Sequence, residues 1–165
     1  NECLAVFIIP EKVETDYSNT LQIALDDIRD PGNMGTIIRL ADWFGIQNII
    51  CSEATVDVYN PKVIQSTMGS IARVNILYCD LKKELLSAKV PVYGTLLEGK
   101  NIYSEKLIQP AIIVLGNESN GISEEIQKLI THKITIPRFG TLQQTESLNV
   151  ATATAIVLSE FCGGN

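Results

Sequence analysis

Histidine and paired cysteines are scarce in this sequence. It has one histidine, His132, and its four cysteines form no CxxC pair and have no neighbouring histidine. Zinc sites and disulfide frameworks need such pairs or clusters, so we expect neither a metal site nor a disulfide scaffold. The cysteines, at positions 3, 51, 79 and 162, instead suit the reduced thiols of a cytoplasmic protein.

Positive charge is also in deficit. Thirteen Lys and Arg residues stand against nineteen Asp and Glu residues, which leaves a formal net charge of −6. This balance excludes a protein that coats nucleic acid by bulk electrostatic attraction, although it is compatible with local basic patches.

Long apolar runs and a leader are absent as well. No apolar run approaches the roughly 20 residues that span a bilayer, so we expect no membrane partner. The first residues, Asn1-Glu2-Cys3, lack both a basic segment and an initiating Met, so they do not form an intact signal peptide. The missing Met suggests that an upstream segment has been cut away.

The length and composition of the chain are those of one domain with a large hydrophobic core. The chain has 165 residues, of which 45% are hydrophobic, and this excludes intrinsic disorder. Val- and Ile-rich runs, typical of strands buried on both faces, alternate with helix-like stretches. They predict strands over residues 21–28, 47–51, 74–79, 90–97, 111–115 and 133–136. We therefore expect an α/β fold with a mostly parallel sheet flanked by helices.

Capping residues predict where the helices begin. Asn60-Pro61 predicts one helix start, Asp80 caps a helix over residues 81–89, and Ser123 precedes a helix that runs to residue 130. A last helix is expected over residues 147–161, with Ser147 as its cap. Residues 1–20 are different: residues 4–9 suit a strand, and residues 11–20 suit a polar linker.

The first cluster with chemical potential is Asp30-Pro31-Gly32-Asn33-Met34-Gly35, between a predicted strand and a helix over residues 36–44. Two glycines permit a sharp turn, and a helix N-terminus favours an anion. Arg39 lies about one turn into that helix, so we expect its side chain to lean back toward the same opening. The alternative is a plain β–α turn with a surface arginine. The glycine spacing does not match a dinucleotide fingerprint.

Two further clusters follow predicted strands. Residues 115–123 place Asn117, Glu118 and Ser119 at the carboxyl end of a buried strand, where open α/β sheets bind ligands. The alternative is a capped loop in which Gly121 serves only its backbone angles. Residues 136–151 contain Ser147 as the expected helix cap and Asn149 in the first turn, although core packing alone would also explain the apolar residues of that helix.

A nucleophilic serine is not supported by the sequence. It has no G-x-S-x-G elbow, and its lone His132 lies in a strand region with no link to Ser147.

Together the three clusters resemble the motifs of the SpoU family of RNA 2′-O-ribose methyltransferases, a TrmH-like part of the SPOUT class. The first motif is matched by residues 30–35, Arg39-Leu40-Ala41-Asp42 and Phe44-Gly45. The second is matched by residues 115–118 and 121–123, and the third by residues 136–140 and 147–151. The resemblance covers residues 21–161 with the motifs in order.

The resemblance implies a SPOUT-type fold with a C-terminal trefoil knot, a homodimer, and S-adenosylmethionine bound in a bent form within the knot. It makes residues 21–165 the C-terminal catalytic domain. Residues 1–20 would be the remnant of a connection to an N-terminal RNA-binding domain, whose loss would weaken RNA binding. The implied cofactor-binding residues are Thr95, Leu96, Gly116, Asn117, Gly121, Ile136 and Leu148.

The implied catalytic set is Asn33, Arg39, Glu118, Ser147 and Asn149. The implied substrate is tRNA or rRNA, because DNA lacks the 2′-hydroxyl. We expect Arg39 to anchor phosphate and stabilise developing charge on the ribose oxygen, since a guanidinium stays protonated. No metal is needed, because the sulfonium already supplies the leaving group. The alternatives are a non-catalytic RNA-binding or assembly protein with this fold, and a flavodoxin-like nucleotide-binding module.

Overall fold

Six parallel strands in the order β3-β2-β1-β5-β4-β6 form the sheet at the centre of this computed structural model. The structure describes residues 6, 8, 9, 17, 19–141 and 147–163. The strands are β1 Gln22–Asp26, β2 Asn48–Ser52, β3 Asn75–Cys79, β4 Val92–Asn101, β5 Ile112–Gly116 and β6 His132–Thr135. All six predicted strands and the parallel sheet are confirmed. The strand expected over residues 4–9 lies mostly outside the described residues.

The sheet reverses its order between β1 and β5. β1 to β3 run outward on one side of this point, and β5, β4 and β6 lie on the other. Asp26 at the end of β1 pairs with Gly116 at the end of β5, so two chain segments leave the sheet side by side. In open α/β sheets such a reversal leaves a crevice at the carboxyl ends of the strands, where ligands bind.

Helices cover both faces of the sheet. They are α1 Pro31–Trp43, α2 Pro61–Thr67, α3 Leu81–Ser87, α4 Glu124–Gln127 and α5 Val150–Gly163. Ile23 and Leu25 of β1 pack toward α1, α2 and α5, whereas Ala24 packs toward α3 and α4. This alternation along one strand divides the core into two apolar layers, as expected of a strand buried on both faces. Within the described ranges, no helix is long and apolar enough to cross a membrane.

Helix α1 starts earlier than the sequence suggests. Its N-cap is Asp30, whose carboxylate accepts the Asn33 backbone N–H at 2.7 Å, and Pro31 is its first residue. The expectation of a glycine turn followed by a helix from residue 36 was therefore wrong. Gly35 is helical, and a Cβ there would lie 2.3 Å from the Ser66 Cβ of α2. The glycine permits close packing of two helices rather than a sharp turn.

The other helix starts follow the predicted caps with one exception. Asn60 and Asp80 cap α2 and α3 through their side chains, and Ser123 precedes α4, which ends at Gln127 instead of residue 130. The exception is α5. Asn149, not Ser147, caps it, because its Oδ1 accepts the backbone N–H groups of Ala151 and Thr152 at 3.0 and 3.2 Å.

The lead-in and the expected knot are described only in part. Tyr17, inside the expected linker, packs against the α3 side of the sheet, and its hydroxyl bonds to Glu84. Residues 142–146, between β6 and α5, lie outside the described part of the chain. The trefoil knot stays a prediction, as does the assignment of residues 1–20.

Candidate functional site

An open cleft of about 550 Å³ lies at the carboxyl edge of the sheet, where β1 and β5 end. Its lining is polar, and most of it comes from the segments that follow these two strands. The lining residues are Arg29, Asp30, Asn33, Asn117, Glu118, Ser119, Asn120 and Asn149. Arg29 is the one cation in this set, which also contains two carboxylates.

A chain of hydrogen bonds crosses this cleft. The Asn149 amide nitrogen donates to Asn33 Oδ1 at 2.9 Å, and the Asn33 amide nitrogen donates to Glu118 Oε1 at 2.8 Å. Because Asn149 Oδ1 is occupied by the cap of α5, its amide group has one orientation, and this in turn orients Asn33. We call these three residues the polar relay. Three of the five predicted catalytic residues, one from each sequence cluster, are therefore brought together.

The loop after β5 folds back on its own strand. The backbones of Asn117 and Gly121 exchange two hydrogen bonds of 3.0 and 2.9 Å. A Cβ at Gly116 would lie 2.2 Å from the backbone of Gly121, so only glycine allows this close approach. Asn117 is buried, and its Oδ1 accepts the N–H groups of Ser119 and Asn120. Its side chain therefore organises the loop, which leaves the rest of the loop to face a ligand.

Two aspartates at the carboxyl end of β1 hold the neighbouring loops. The buried Asp26 carboxylate accepts the Ser123 N–H at 2.7 Å, which ties the β5–α4 loop to β1. Asp27 has a positive φ of 59°. Its backbone N–H donates to Ser52 Oγ at 2.9 Å, and its carbonyl accepts the Asn117 amide at 2.7 Å. Its carboxylate also accepts the Arg29 Nε–H at 2.8 Å and thereby raises the pKa of that guanidinium.

Arg39 lies apart from the polar relay. It is exposed and lines a second cleft of about 640 Å³ with Thr36, Leu40, Asp42, Trp43, Met68 and Ser70. It follows Asn33 by six residues, a rotation of about 240° around the helix axis, so the two side chains leave different sides of α1. The expectation that Arg39 leans back toward the opening beside Asn33 was therefore wrong, and its catalytic role stays a prediction.

The acid beside Arg39 already has other partners. Asp42 accepts hydrogen bonds from Arg73 Nη2 and Ser70 Oγ, both at 2.7 Å. The hydrogen bonds of Arg73, and then of Ser70, hold the pKa of Asp42 below its ordinary value. Within the described part of the chain, Arg39 itself makes no hydrogen bond or ion pair. Its charge is therefore available to a ligand.

The expected cofactor residues gather at the same edge of the sheet. Thr95 and Leu96 are half-buried in β4, Gly116 ends β5, and Ile136 directly follows β6. Gly94 of β4 pairs with Val114 of β5, and Thr95 pairs with Ile134 of β6, so Thr95 and Leu96 lie level with the carboxyl ends of β5 and β6. Ser147 and Leu148 are exposed residues just before α5, and Ser147 has no hydrogen bond among the described residues. Their expected roles stay predictions.

The residue that sequence reasoning missed is Arg29. Its signal was its position, between β1, which ends at Asp26, and the capping Asp30, at the edge where ligands bind. Asp26 and Asp27 had no signal, because their partners come from distant strands. No group of three or more His, Cys, Asp or Glu residues in the described ranges is arranged to hold a metal ion.

Comparisons with known proteins agree with the resemblance. The model of the SpoU rRNA Methylase family matches residues 20–159. The 23S rRNA (guanosine(2553)-2'-O)-methyltransferase RlmP of Bacillus subtilis is 32% identical over 145 residues, which are 86% of this chain and 57% of that protein. The 23S rRNA (guanosine-2'-O-)-methyltransferase RlmB of Blochmanniella floridana is 37% identical, over 85% of this chain and 56% of that protein. This chain thus spans somewhat more than half the length of these curated relatives.

Solved structures show the same relationship. An RNA methyltransferase of the TrmH family from Porphyromonas gingivalis superimposes with a TM-score of 0.84 and 42% identity, over 94% of this chain and 62% of that one. The rRNA methyltransferase from Sinorhizobium meliloti, solved with AdoMet bound, has a TM-score of 0.80 and 34% identity, over 87% of this chain and 56% of that one. With the family model matched over most of its length, this chain belongs to the SpoU family.

Proposed function

We propose that this chain is the catalytic part of an S-adenosylmethionine-dependent enzyme that methylates a ribose 2′-hydroxyl in rRNA or tRNA. The observation that carries the proposal is the polar relay. One residue from each of three distant motifs meets in a single cleft, and each amide of the relay has one orientation. Relatives named as 23S rRNA 2′-O-methyltransferases support the reaction class and the RNA substrate.

The edge formed by β4, β5 and β6 fits S-adenosylmethionine in its chemistry. Leu96 and Ile136 are half-buried apolar residues that suit contact with an adenine ring, and the 117–121 loop, which follows β5, offers backbone groups. We propose that S-adenosylmethionine is bound by Thr95, Leu96, Gly116, Asn117, Gly121, Ile136 and Leu148. When bound, the sulfonium supplies an activated methyl group, and no metal is required for its transfer.

The protein side chains act on the ribose. With the cofactor bound, one displacement would pass the methyl group from sulfur to the 2′-oxygen, leave S-adenosylhomocysteine, and release the hydroxyl proton to solvent water. We propose that Asn33 and Asn149 orient the ribose through neutral hydrogen bonds, with Ser147 beside them, while Glu118 holds the Asn33 amide. A positive charge near the oxygen stabilises its developing negative charge, and this is the role proposed for Arg39.

A homodimer would reconcile this role with the position of Arg39. Within one chain Arg39 and the polar relay line different clefts. Beside Arg39, the side chains of Trp43 and Met68 are 84% and 75% exposed, and contact with a second copy would bury them. We propose that the active enzyme is a homodimer in which Arg39 of one copy serves the relay of the other. We also propose a cytoplasmic location, which suits the reduced thiols of Cys51 and Cys162.

Methyl transfer from tritiated S-adenosylmethionine to unmodified transcripts of 23S rRNA and tRNA tests the activity. We expect label in one nucleotide whose 3′ linkage resists alkaline hydrolysis, the signature of a 2′-O-methyl group. Arg39→Ala should lower the rate by about two or more orders of magnitude, the scale of losing an electrostatic stabiliser, with S-adenosylhomocysteine binding largely kept.

Lys83→Ala removes an exposed charge on α3 whose partner is Asp80, and should leave the rate unchanged. Full activity in Arg39→Ala would disprove the role of Arg39. RNA binding without any methyl transfer would instead favour the non-catalytic RNA-binding or assembly protein.

A further inference from the structure

We propose that Arg29, held in place by Asp27, binds a backbone phosphate of the RNA beside the ribose that is methylated. This inference rests on the proposed function and adds to it a substrate-binding residue and a positioning residue. It starts from the cleft of the polar relay, in which Arg29 is the one cation among the described lining residues.

One hydrogen bond orients the guanidinium of Arg29 and leaves its other N–H donors unused. The Nε–H donates to Asp27 Oδ1 at 2.8 Å, while the two Nη groups have no partner within the described part of the chain. The Arg29 side chain is 71% exposed, and that of Asp27 is 23% exposed. A guanidinium anchored at one edge presents its remaining N–H groups in a fixed plane, the arrangement that suits the oxygens of a phosphate.

Asp27 is itself held more firmly than a surface aspartate. Its left-handed backbone is tied to Ser52 at the end of β2 and to Asn117 at the end of β5. A residue held in an uncommon backbone conformation by contacts from two neighbouring strands is a pattern that recurs at binding sites. These contacts set the direction in which Arg29 projects.

Charge explains why a cation is needed at this place. The chain carries a net charge of −6, and the cleft contains the carboxylates of Asp30 and Glu118. Asp30 accepts the Asn33 N–H, and Glu118 accepts the Asn33 side-chain amide, so both acids serve the protein itself. Among the described lining residues of one chain, Arg29 is the cation that a strand of RNA entering this cleft would meet.

The position of Arg29 favours RNA over the cofactor carboxylate. Among the proposed cofactor residues, Thr95 and Leu96 lie in β4 and Ile136 follows β6, whereas Arg29 follows β1, on the other side of β5. The segment from Gly116 to Gly121 lies between them. Arg29 is therefore separated by this segment from the part of the proposed cofactor site at β4 and β6.

Binding of a fluorescein-labelled 12-nucleotide single-stranded RNA, measured by anisotropy over a range of salt concentrations, tests the inference. Relative to wild type, we expect Arg29→Ala to bind about tenfold more weakly at low salt. Its plot of log affinity against log salt should be shallower by about 0.7, the loss of one phosphate contact to a single strand. Arg29→Lys keeps the charge without the planar group, so its affinity for the RNA should lie between those of wild type and Arg29→Ala. Lys83→Ala is the matched control, since it removes an exposed, ion-paired charge that does not line the cleft.

Asp27→Asn tests positioning, because asparagine also tolerates a positive φ and the fold should be kept. By bulk electrostatics the lost negative charge would tighten RNA binding. We expect weaker binding instead, because the anchor of Arg29 is weakened, and a tighter complex would overturn the role of Asp27.

Three results would overturn the role of Arg29. The first is that Arg29→Ala binds the RNA as tightly as Lys83→Ala does, and the second is that Arg29→Ala loses affinity for S-adenosylhomocysteine in calorimetry and not for RNA. The third is that the wild-type protein does not bind the RNA even at low salt. The proposed activity is judged separately by methyl transfer of the wild-type protein. In that assay, on a transcript that is methylated, Arg29→Ala should raise KM about tenfold and change kcat by less than threefold.

Discussion

Single side chains in the cleft serve structure and chemistry at once. The amide of Asn149 caps α5 through its oxygen and orients Asn33 through its nitrogen. The resemblance placed this residue in the catalytic set, while the sequence pattern favoured Ser147 as the cap. The cap was predicted wrongly because both residues are good capping types, and only the backbone path before α5 decides between them.

The two roles of Asn149 can be separated by substitution. Asn149→Asp keeps a good cap but loses the amide donor, so its free energy of unfolding should stay within about 0.5 kcal/mol of wild type. Asn149→Ala should lose about 1 kcal/mol. Methyl transfer should fall at least tenfold in both, because Asn33 is no longer oriented. Urea unfolding and the methyl-transfer assay measure the two effects, and full activity in Asn149→Asp would show that the relay is dispensable.

At the scale of elements, the packing of α1 on α2 depends on a missing side chain. A Cβ at Gly35 would lie 2.3 Å from Ser66 Cβ and 2.9 Å from the Ser66 backbone carbon. The sequence motif suggested that glycine was needed there for a turn. The helix packing that explains it could not be seen from residues 30–35 alone, because Ser66 is far away in the chain.

Substitution by alanine distinguishes the two glycines of this motif. Gly35→Ala should lower the free energy of unfolding by about 1–3 kcal/mol, the usual cost of overpacking, because α1 and α2 must move apart. At Gly32 the new Cβ meets only the side-chain oxygen of Asp30, at 3.0 Å, so Gly32→Ala should change stability by less than about 1 kcal/mol. Equal losses in urea unfolding would refute this account.

Asp42 of α1 binds Ser70 and Arg73, at and next to the 3₁₀ turn Ser70–Ala72. The contribution of these contacts to stability should depend on pH. The folded-state pKa of Asp42 lies below the ordinary 3.8, because of hydrogen bonds from Arg73 and Ser70. Its contribution to stability is therefore present above that pH and is lost as the pH falls through the lowered pKa. The difference in unfolding free energy between wild type and Asp42→Asn should shrink as the pH falls below 3.8. A difference that is constant down to acid unfolding would contradict this, and Arg73→Ala should show the same dependence.

For the whole molecule, the sheet order decides which motifs meet. Placing β5 beside β1 brings residues more than 80 positions apart, such as Asn33 and Glu118, within hydrogen-bond distance. Rotation along α1 separates Arg39 from Asn33, so the two line different clefts, which is why we infer a homodimer. Apolar exposure around Trp43 marks the surface that the second copy would cover.

The oligomeric state can be tested by light scattering on a sizing column. We expect a mass of twice 18.1 kDa for the wild type and of one chain for Trp43→Asp, with methyl transfer lost in that variant. Leu86→Asp is the control, because it places the same charge on an exposed apolar position of α3, on the other face of the sheet. A dimeric Trp43→Asp protein would place the interface elsewhere, and a monomeric wild type would refute the dimer.

The sequence by itself determined the elements and the motifs. Short apolar runs of Val and Ile favour strands in a parallel sheet covered on both faces, and all six strands were predicted within a few residues of the observed bounds. Asn60 and Asp80 marked their helix starts because capping is local.

Only the tertiary structure decided how distant residues combine. It showed that Asn33, Glu118 and Asn149 share one chain of hydrogen bonds, that Arg39 faces another cleft, and that Arg29 is oriented by Asp27. These facts depend on strand order and helix rotation, which bring together residues that are far apart along the chain. Local patterns report the state of a segment, whereas the partners of a side chain depend on where every other segment lies.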